Sequence, residues 1–430
     1  MFINFPKSNI VVEGIEKVKI PKMIRVKQKY DSNRISDIED HIVNQIDMYH
    51  CDRDWYVGKN IAITVGSRGI PHLDTIVRSI CDILKKWGAK PLIIPSMGSH
   101  GGGTAKGQQE ILAGYNITEE SMSAKIKSSM DVIEYGKLEG IPLYCDKHAF
   151  ECDGIVILNK VKPHTDFRGE IESGLCKMIA IGIGNHKGAS AFHSLGFEKF
   201  DKFIPIVAQR FLDTKKVVFG VGIVQNAYDD ICNIEIIAPQ DIIEKEKELL
   251  KIAKKKIARF KFNRLDVLMI DEIGKNISGF GFDPNIVGRM NSGLSGFFDI
   301  LHLQKLFIKG ITKETHHNGC GISAADVTTR KCLNQIDWDI VWTNMVTSTQ
   351  LNGGKIPVYM NNDFDAIRLA IRTCNGIISD NVKLARIKNT MLMDEVEVSE
   401  SLYEEIMDNS EVEYIEGPYN MNFDIDNNLI

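Results

Sequence analysis

Short runs of β-branched and apolar residues alternate with longer stretches of helical periodicity, and this alternation is the strongest constraint on the fold of the 430-residue chain. A strand predicted at 60–65 is followed by a helix from about Leu73 to Gly88, whose apolar side chains recur every three to four residues. Such alternation is typical of βαβ units and a mostly parallel sheet. Further strands are predicted at 91–95, 154–158, 216–223, 266–270 and 339–343.

Helical patterns at 104–115 and 241–260 complete the α/β pattern. At roughly 150 residues per domain, a chain of this length has room for two or three domains. We therefore expect two α/β domains with mostly parallel sheets and an active site in the cleft between them. The expected boundaries are 1–262 for the N-terminal domain, 263–400 for a second domain that closes the cleft, and 401–430 for a C-terminal tail that becomes irregular after a short helix.

Composition narrows the class of protein. Lys plus Arg number 52 and Asp plus Glu 57, which gives a net charge of −5 and argues against nucleic acid as a partner. The sequence has neither a signal-peptide pattern nor an apolar run of about 18 residues, so we expect no membrane partner. The nine cysteines include no CxxC pair and are expected to be reduced thiols, which predicts a cytoplasmic protein.

Polar groups follow three of the predicted strands, at the sheet edge where parallel α/β folds bind ligands. Arg68 follows the strand at 60–65, and His100 lies in a glycine-rich loop after 91–95. His164 and Arg168 follow 154–158. The glycine-rich loop precedes a helix and can present backbone N–H groups to an anion, although it also suits a plain turn.

The stretch from 169 to 194 carries a lysine in an apolar setting. Lys177 lies between Leu175 and a run of apolar residues, and desolvation there would make its amine nucleophilic. His186 and His193 are seven residues apart, so on a helix they share a face, and either can offer an imidazole nitrogen to a metal. Their spacing is no standard zinc signature. From the residues alone, the site is a lysine, several histidines and an anion loop, with a metal left open.

Taken in order, these motifs resemble the nickel-pincer-nucleotide-dependent lactate racemase family, of which the chain would be a divergent member. The resemblance rests on GSRGIP at 66–71, GSHGGGT at 98–104, KPHTDFRG at 162–169, and Lys177 followed by His193. It covers residues 60–200 well and the later half of the chain loosely.

The resemblance implies a role for each matching residue. Lys177 would be the covalent anchor of a pyridinium-3-thioamide-5-thiocarboxylate mononucleotide, and His193 would ligate its nickel. His100 and His164 would be the paired acid and base. The cofactor motifs would lie in the N-terminal domain, and separate cofactor-biosynthesis proteins would be partners. The groups implied to hold the cofactor phosphate or the substrate anion are Arg68, Ser99, Gly101 and Gly102.

The implied activity is an isomerase, a racemase or epimerase of a 2-hydroxy acid acting by hydride transfer. Val65 stands where the family carries an aspartate, and the interval from His164 to Lys177 is longer than the family's. A larger or more polar hydroxy acid, or a sugar acid, is therefore favoured over lactate. A homodimer is the default assembly. The candidate substrate-binding residues are Arg168, Asn285 and Arg289.

Two other functions fit the same residues. One is a metal-dependent hydrolase or lyase that uses His100, His164 and His193 directly. The other is a non-catalytic anion- or nucleotide-binding protein, although simple binding needs neither Lys177 nor His193. The sequence assigns no role to His186, His316 or His317.

Overall fold

The computed structural model describes residues 1–430 except 68, 292, 295, 298 and 378–380. Arg68 therefore lies outside the described residues. The chain forms two compact units, one of Ser32–Ile257 and one that joins Met1–Asp31 to Ala258–Ile430. We call them the inserted unit and the split unit.

Strands occur along the whole length of the chain. In chain order they are β1 (Met23–Gln28), β2 (Asn60–Val65), β3 (Lys90–Pro95), β4 (Lys125–Ile126), β5 (Val132–Leu138), β6 (Ile141–Asp146), β7 (Gly154–Lys160), β8 (Val217–Gln225), β9 (Ile231–Ile237), β10 (Arg264–Ile270), β11 (His302–Ile308), β12 (Val327–Thr329), β13 (Val358–Met360), β14 (Leu384–Ile387), β15 (Glu395–Ser399) and β16 (Val412–Tyr419).

The helices vary from one turn to four. They are α1 (Ile38–Met48), α2 (Leu73–Lys86), α3 (Ala105–Gly114), α4 (Glu119–Met122), α5 (Lys147–Glu151), α6 (Leu175–Ala180), α7 (Asn185–His193), α8 (Phe200–Leu212), α9 (Ile242–Lys256), α10 (Pro284–Val287), α11 (Arg330–Asn334), α12 (Trp338–Thr347), α13 (Asp363–Arg372) and α14 (Glu400–Ile406).

The inserted unit is built on a six-stranded sheet of order β4-β3-β2-β7-β8-β9. Every neighbouring pair is parallel except β8 and β9, and β5 and β6 form a separate hairpin. The strands predicted at 60–65, 91–95, 154–158 and 216–223 are confirmed as β2, β3, β7 and β8. This sheet confirms the predicted α/β class.

Helix α2 illustrates how apolar periodicity builds the core of this unit. Leu73, Ile76, Ile80 and Leu84 recur at helical spacing, and all are buried against the sheet. Each such side chain contributes about 1.5–3 kcal/mol when fully buried. The chain turns away from the helix at Gly88, directly after the C-cap Trp87, with a φ of 79° that glycine adopts readily.

The split unit contains an eight-stranded sheet of order β13-β12-β11-β10-β14-β15-β1-β16. The five strands from β13 to β14 are parallel, and β15, β1 and β16 are antiparallel to their neighbours. Strand β1 lies between β15 and β16, so residues 1–31 belong with the C-terminal half of the chain. The predicted division at residue 262 differs from these units because such a long-range strand pairing leaves no mark on the local sequence pattern.

Two local predictions in this half are wrong. Residues 339–343, predicted as a strand, lie in helix α12, which begins after the N-cap Asp337 and buries Trp338, Val341 and Met345. A segment this short, with three apolar residues in succession, does not distinguish strand from buried helix, and the buried spacing of three and four residues decides for the helix. The tail predicted as irregular forms β16, whose exposed, glutamate-rich sequence suits the edge of a sheet.

No helix in the described part of the chain is both long enough and apolar enough to span a bilayer.

Candidate functional site

The three polar strand ends of the inserted unit meet around helix α6. Because β2 pairs with both β3 and β7 in parallel, their carboxyl ends lie at one edge of the sheet. Ser67 Oγ, after β2, is hydrogen-bonded to His100 Nδ1, after β3. Asn159, in β7, donates its amide to the carbonyl of Gly174 at the start of α6, at 2.8 Å. The predicted convergence of these segments is therefore present.

His164 and Lys177 are in direct contact. The Nε2 atom of His164 lies 2.6 Å from the Nζ atom of Lys177. On the other side of the ring, Nδ1 accepts the backbone N–H of Asp166 at 3.0 Å. The imidazole is buried, and the Phe167 ring lies against it with 4.3 Å between centroids. The histidine is therefore oriented at both nitrogens, and one of them faces the lysine amine.

His193 lies at the end of α7 in a largely apolar pocket. The rings of Phe197 and Phe200 pack against it, with centroid distances of 5.4 and 5.3 Å. Its Nδ1 is buried and has no hydrogen-bond partner. Burial, and to a smaller degree the charge of Lys177, lower the pKa of His193 to about 4. At neutral pH it is an uncharged imidazole with a buried nitrogen available to a ligand.

Helix α7 begins at a buried asparagine that fixes its position. Asn185 has a φ of 54° and donates its amide to Asp146 Oδ2 and to the carbonyl of Ser129, at 2.8 and 2.9 Å. These bonds tie the start of the helix to the β6 region. His186, on the next position, is exposed and lies beside Gly103.

The glycine-rich loop packs closely on α3 and α7. Gly101 and Gly102 have φ values of 65° and 67°. A Cβ on Gly101 would lie 2.6 Å from the backbone nitrogen of Gln108, whereas a Cβ on Gly102 would meet nothing within 4 Å. Ser99 is half-buried in the same loop, and the N–H of Gly98 donates to the carbonyl of Gly182, between α6 and α7. The loop therefore lies against the segment that carries the lysine and the histidine.

Three buried polar side chains that the sequence reasoning missed hold the backbones of the candidate residues. Gln108 donates to the carbonyl of Gly98, in the loop of His100, at 2.9 Å. Glu172 accepts the N–H of His164 at 2.7 Å, and Glu246 accepts the N–H of Cys176, next to Lys177, at 2.7 Å. All three are fully buried. The sequence signal of Gln108 and of Glu246 is a polar residue on the apolar face of a helix, whereas Glu172 lies in a loop and carries no such signal.

Glu246 has the most perturbed environment of the three. Its burial raises the pKa of its carboxyl to about 7, despite the hydrogen bonds that it accepts from Cys176 and Leu175. The Cys176 thiol beside it has a raised pKa, first because of burial and then because of the carboxylate.

Arg168 is engaged within its own loop. Its guanidinium donates to the carbonyl of His164 at 3.2 Å and lies 3.5 Å from Glu172 Oε2. These contacts show that it supports the His164 loop.

The other two substrate candidates belong to the split unit. Asn285 is bonded to Asp283 at the start of α10, and Arg289 donates to the carbonyls of Leu303 and Gln304 and lies 3.2 Å from Asp326. Each is thus held by contacts within that unit.

His316 and His317 also lie in the split unit. Both are exposed, at φ values of 50° and 66°, and His317 Nδ1 is bonded to the carbonyl of Gln335. Within the described ranges, no group of three or more His, Cys, Asp or Glu side chains is placed to hold a metal ion.

No protein-family model matches the sequence, and no curated protein matches it. Among solved structures, the chain is similar to the lactate racemase apoprotein from Thermoanaerobacterium thermosaccharolyticum, with a TM-score of 0.50 and 15% identity over 86% of this chain and 99% of that one. A Thermotoga maritima protein has a TM-score of 0.50 and 13% identity, over 83% of this chain and 96% of that one. The chain therefore has a lactate racemase-like α/β fold.

Proposed function

We propose that the protein is a 2-hydroxy acid racemase or epimerase that carries a nickel-pincer nucleotide on Lys177, with His193 as the protein ligand to nickel. The observation that carries the proposal is the His164–Lys177 contact at 2.6 Å, in the same unit as a histidine with an orphaned, buried nitrogen. The lactate racemase-like fold supports it.

The residues fit such a group in two respects. An uncharged imidazole whose buried Nδ1 lacks a partner suits a nickel ligand, since metals bind the neutral ring. A cofactor that supplies its own sulfur and carbon donors needs only one protein ligand. His193 would provide that ligand and Lys177 the covalent anchor.

The hydrogen bonds around His164 favour Lys177 as a nucleophile. Nδ1 accepts the N–H of Asp166, and Nε2 faces Lys177 Nζ at 2.6 Å. The imidazole is thus placed beside the amine as a base that can take the proton the lysine must lose before it attacks an acyl or thioacyl carbon.

Once the lysine is consumed as an anchor, the Nε2 atom of His164 is available to a substrate hydroxyl. His164 and His100 would then be the two acid/base groups that exchange the hydroxyl proton, so that either enantiomer can find a base. When bound, the pincer group supplies hydride acceptance and return at the substrate carbon. The aromatic rings beside His164 would exclude water from that carbon.

We further propose that the substrate is a hydroxy acid larger or more polar than lactate, or a sugar acid. Arg68, Ser99, Gly101 and Gly102 would bind the cofactor phosphate or the substrate anion. Arg168, Asn285 and Arg289 remain candidates for substrate contacts. Cofactor-biosynthesis proteins, a homodimeric assembly and a cytoplasmic location are parts of the same proposal.

The first test is the intact mass and nickel content of the chain after co-expression with cofactor-building proteins. We expect a mononucleotide-sized adduct and about one nickel per chain, since the nucleotide would supply donors for a single ion. Lys177→Ala should abolish the adduct, and His193→Ala should retain it with less nickel. An unmodified mass, with a known lactate racemase loaded in parallel, would overturn the proposal and favour direct metal catalysis or simple binding.

A further inference from the structure

The N-terminal end of α6, which carries Lys177, is capped by a residue from another helix. The N-cap position of this six-residue helix is Gly174, which has no side chain to cap it. Glu246 of α9 takes that place, accepting the N–H of Cys176 at 2.7 Å. A Cβ on Gly174 would lie 2.3 Å from Glu246 Oε1, so glycine leaves the room that the carboxylate occupies. The fit identifies α9 as the support of this short helix.

Helix α9 also holds the loop that carries His164. Lys254, two turns after Glu246, places Nζ 2.6 Å from Glu172 Oε1 and donates to the carbonyl of Gly169 at 3.3 Å. Glu172 in turn accepts the N–H of His164 through its other oxygen, at 2.7 Å. Although α9 is lysine-rich, this lysine is therefore part of the support of the site.

His164 lies in the loop after β7 and Lys177 in helix α6, and the backbones of these two segments are paired between Lys162 and Ser173. Both segments are tied to α9, a helix of 15 residues that packs on β8. A charge-assisted hydrogen bond such as that between Lys254 and Glu172 gives fixed geometry as well as energy. We propose that Glu246 and Lys254 are positioning residues that hold the amine of Lys177 against Nε2 of His164.

The value of this positioning for catalysis rests on the proposed function, but the positioning itself is measurable without any cofactor. With His164 Nε2 held 2.6 Å from its Nζ, Lys177 has a base beside it that assists attack on an acylating reagent, whereas a lysine displaced from the imidazole lacks that base and reacts more slowly. Loss of either tie should therefore lower the reactivity of Lys177. The exposed Lys106 provides a reference within the same chain.

The experiment treats the full-length chain, purified without cofactor, with limiting acetic anhydride at pH 7. Acetylation of Lys177 relative to Lys106 is measured by peptide mass spectrometry. His164→Ala defines the ratio of a lysine that has lost the contact with the imidazole. We expect Lys254→Met and Glu246→Ala to lower the ratio at least fivefold, towards that of His164→Ala. Lys254→Arg and Glu246→Gln should restore it to within about threefold of the wild type.

Lys251→Met and Glu248→Gln are matched controls, since both residues are exposed on α9. An unchanged ratio in Lys254→Met, or an equal fall in the controls, would overturn the proposal. Lys254→Met keeps the test valid if Glu246→Ala fails to fold, because Lys254 is only partly buried. If the acetylation ratio falls as expected but the chain never acquires the adduct, the positioning role is supported and the proposed cofactor is rejected.

Discussion

Two histidines of the inserted unit share an aromatic wall but differ in what their nitrogens contact. Phe197 lies 5.9 Å from the ring of His164 and 5.4 Å from that of His193. His164 is bonded at both nitrogens, whereas the buried Nδ1 of His193 lacks a partner. An unsatisfied buried polar group costs about 1–3 kcal/mol. That cost is the physical reason to regard His193, and not His164, as the residue kept for a ligand.

Replacement of His193 with phenylalanine should change how stability depends on pH. With a folded pKa of about 4 and an ordinary value of 6.5, His193 binds more protons in the unfolded chain between these limits. The wild type should thus lose up to about 3 kcal/mol of stability relative to His193→Phe as the pH falls from 6.5 to 4. Urea unfolding of the cofactor-free chain at several pH values measures the difference.

The control is His186→Phe, since His186 is exposed on the same helix. Its stability relative to the wild type should stay nearly constant over this range. If the stability difference between His193→Phe and the wild type is also independent of pH, His193 is not buried as described.

At the scale of elements, the glycine-rich loop is fixed by one close approach. Gly101 and Gly102 share the same left-handed φ, but only Gly101 has neighbouring backbone where a Cβ would lie. Alanine at Gly102 therefore tests the cost of the left-handed backbone alone, and alanine at Gly101 tests that cost together with the steric clash. Alanine at φ near 65° costs about 1–2 kcal/mol in either position.

Gly101→Ala should cost about 1–3 kcal/mol more than Gly102→Ala, because its Cβ would displace the first turn of α3. The measurement is the urea midpoint of each variant, compared with the wild type. Equal losses of stability in the two variants would mean that the loop moves easily to accommodate the Cβ of residue 101. The loop would then not hold His100 in a fixed position.

The elements predicted correctly are those whose burial can be read from the local sequence. Strand β2 is a nearly continuous apolar run that is buried from Ile61 to Val65, and helix α2 buries the apolar face that recurs at helical spacing; both were predicted nearly to the residue. Helix α12 was not, because its apolar run is short and its N-cap Asp337 carries the deciding signal. Gln108 and Glu246 could not be predicted as parts of the site, since their partners are close in space and distant in sequence.

At the scale of the whole molecule, the two units are not separated by a single boundary in the sequence, because one of them combines both ends of the chain. Residues 1–31 contribute β1 to a sheet whose other strands follow residue 258. The inserted unit has its own apolar core, formed around β2, β3 and α2. The candidate residues His100, His164, Lys177 and His193 all lie in that unit.

Deletion of residues 1–31 should therefore destabilise only the split unit. Without β1, the edges of β15 and β16 lose their backbone partners, and Met23, fully buried in that unit's core, is removed. We expect amide hydrogen exchange to accelerate at least tenfold across β14–β16 and to stay unchanged in β2, β3 and β7. A fragment of residues 32–257 should unfold cooperatively by itself, since its sheet and core are internal. Accelerated exchange in β2 after the deletion, or an unfolded 32–257 fragment, would show that the inserted unit depends on the rest of the chain.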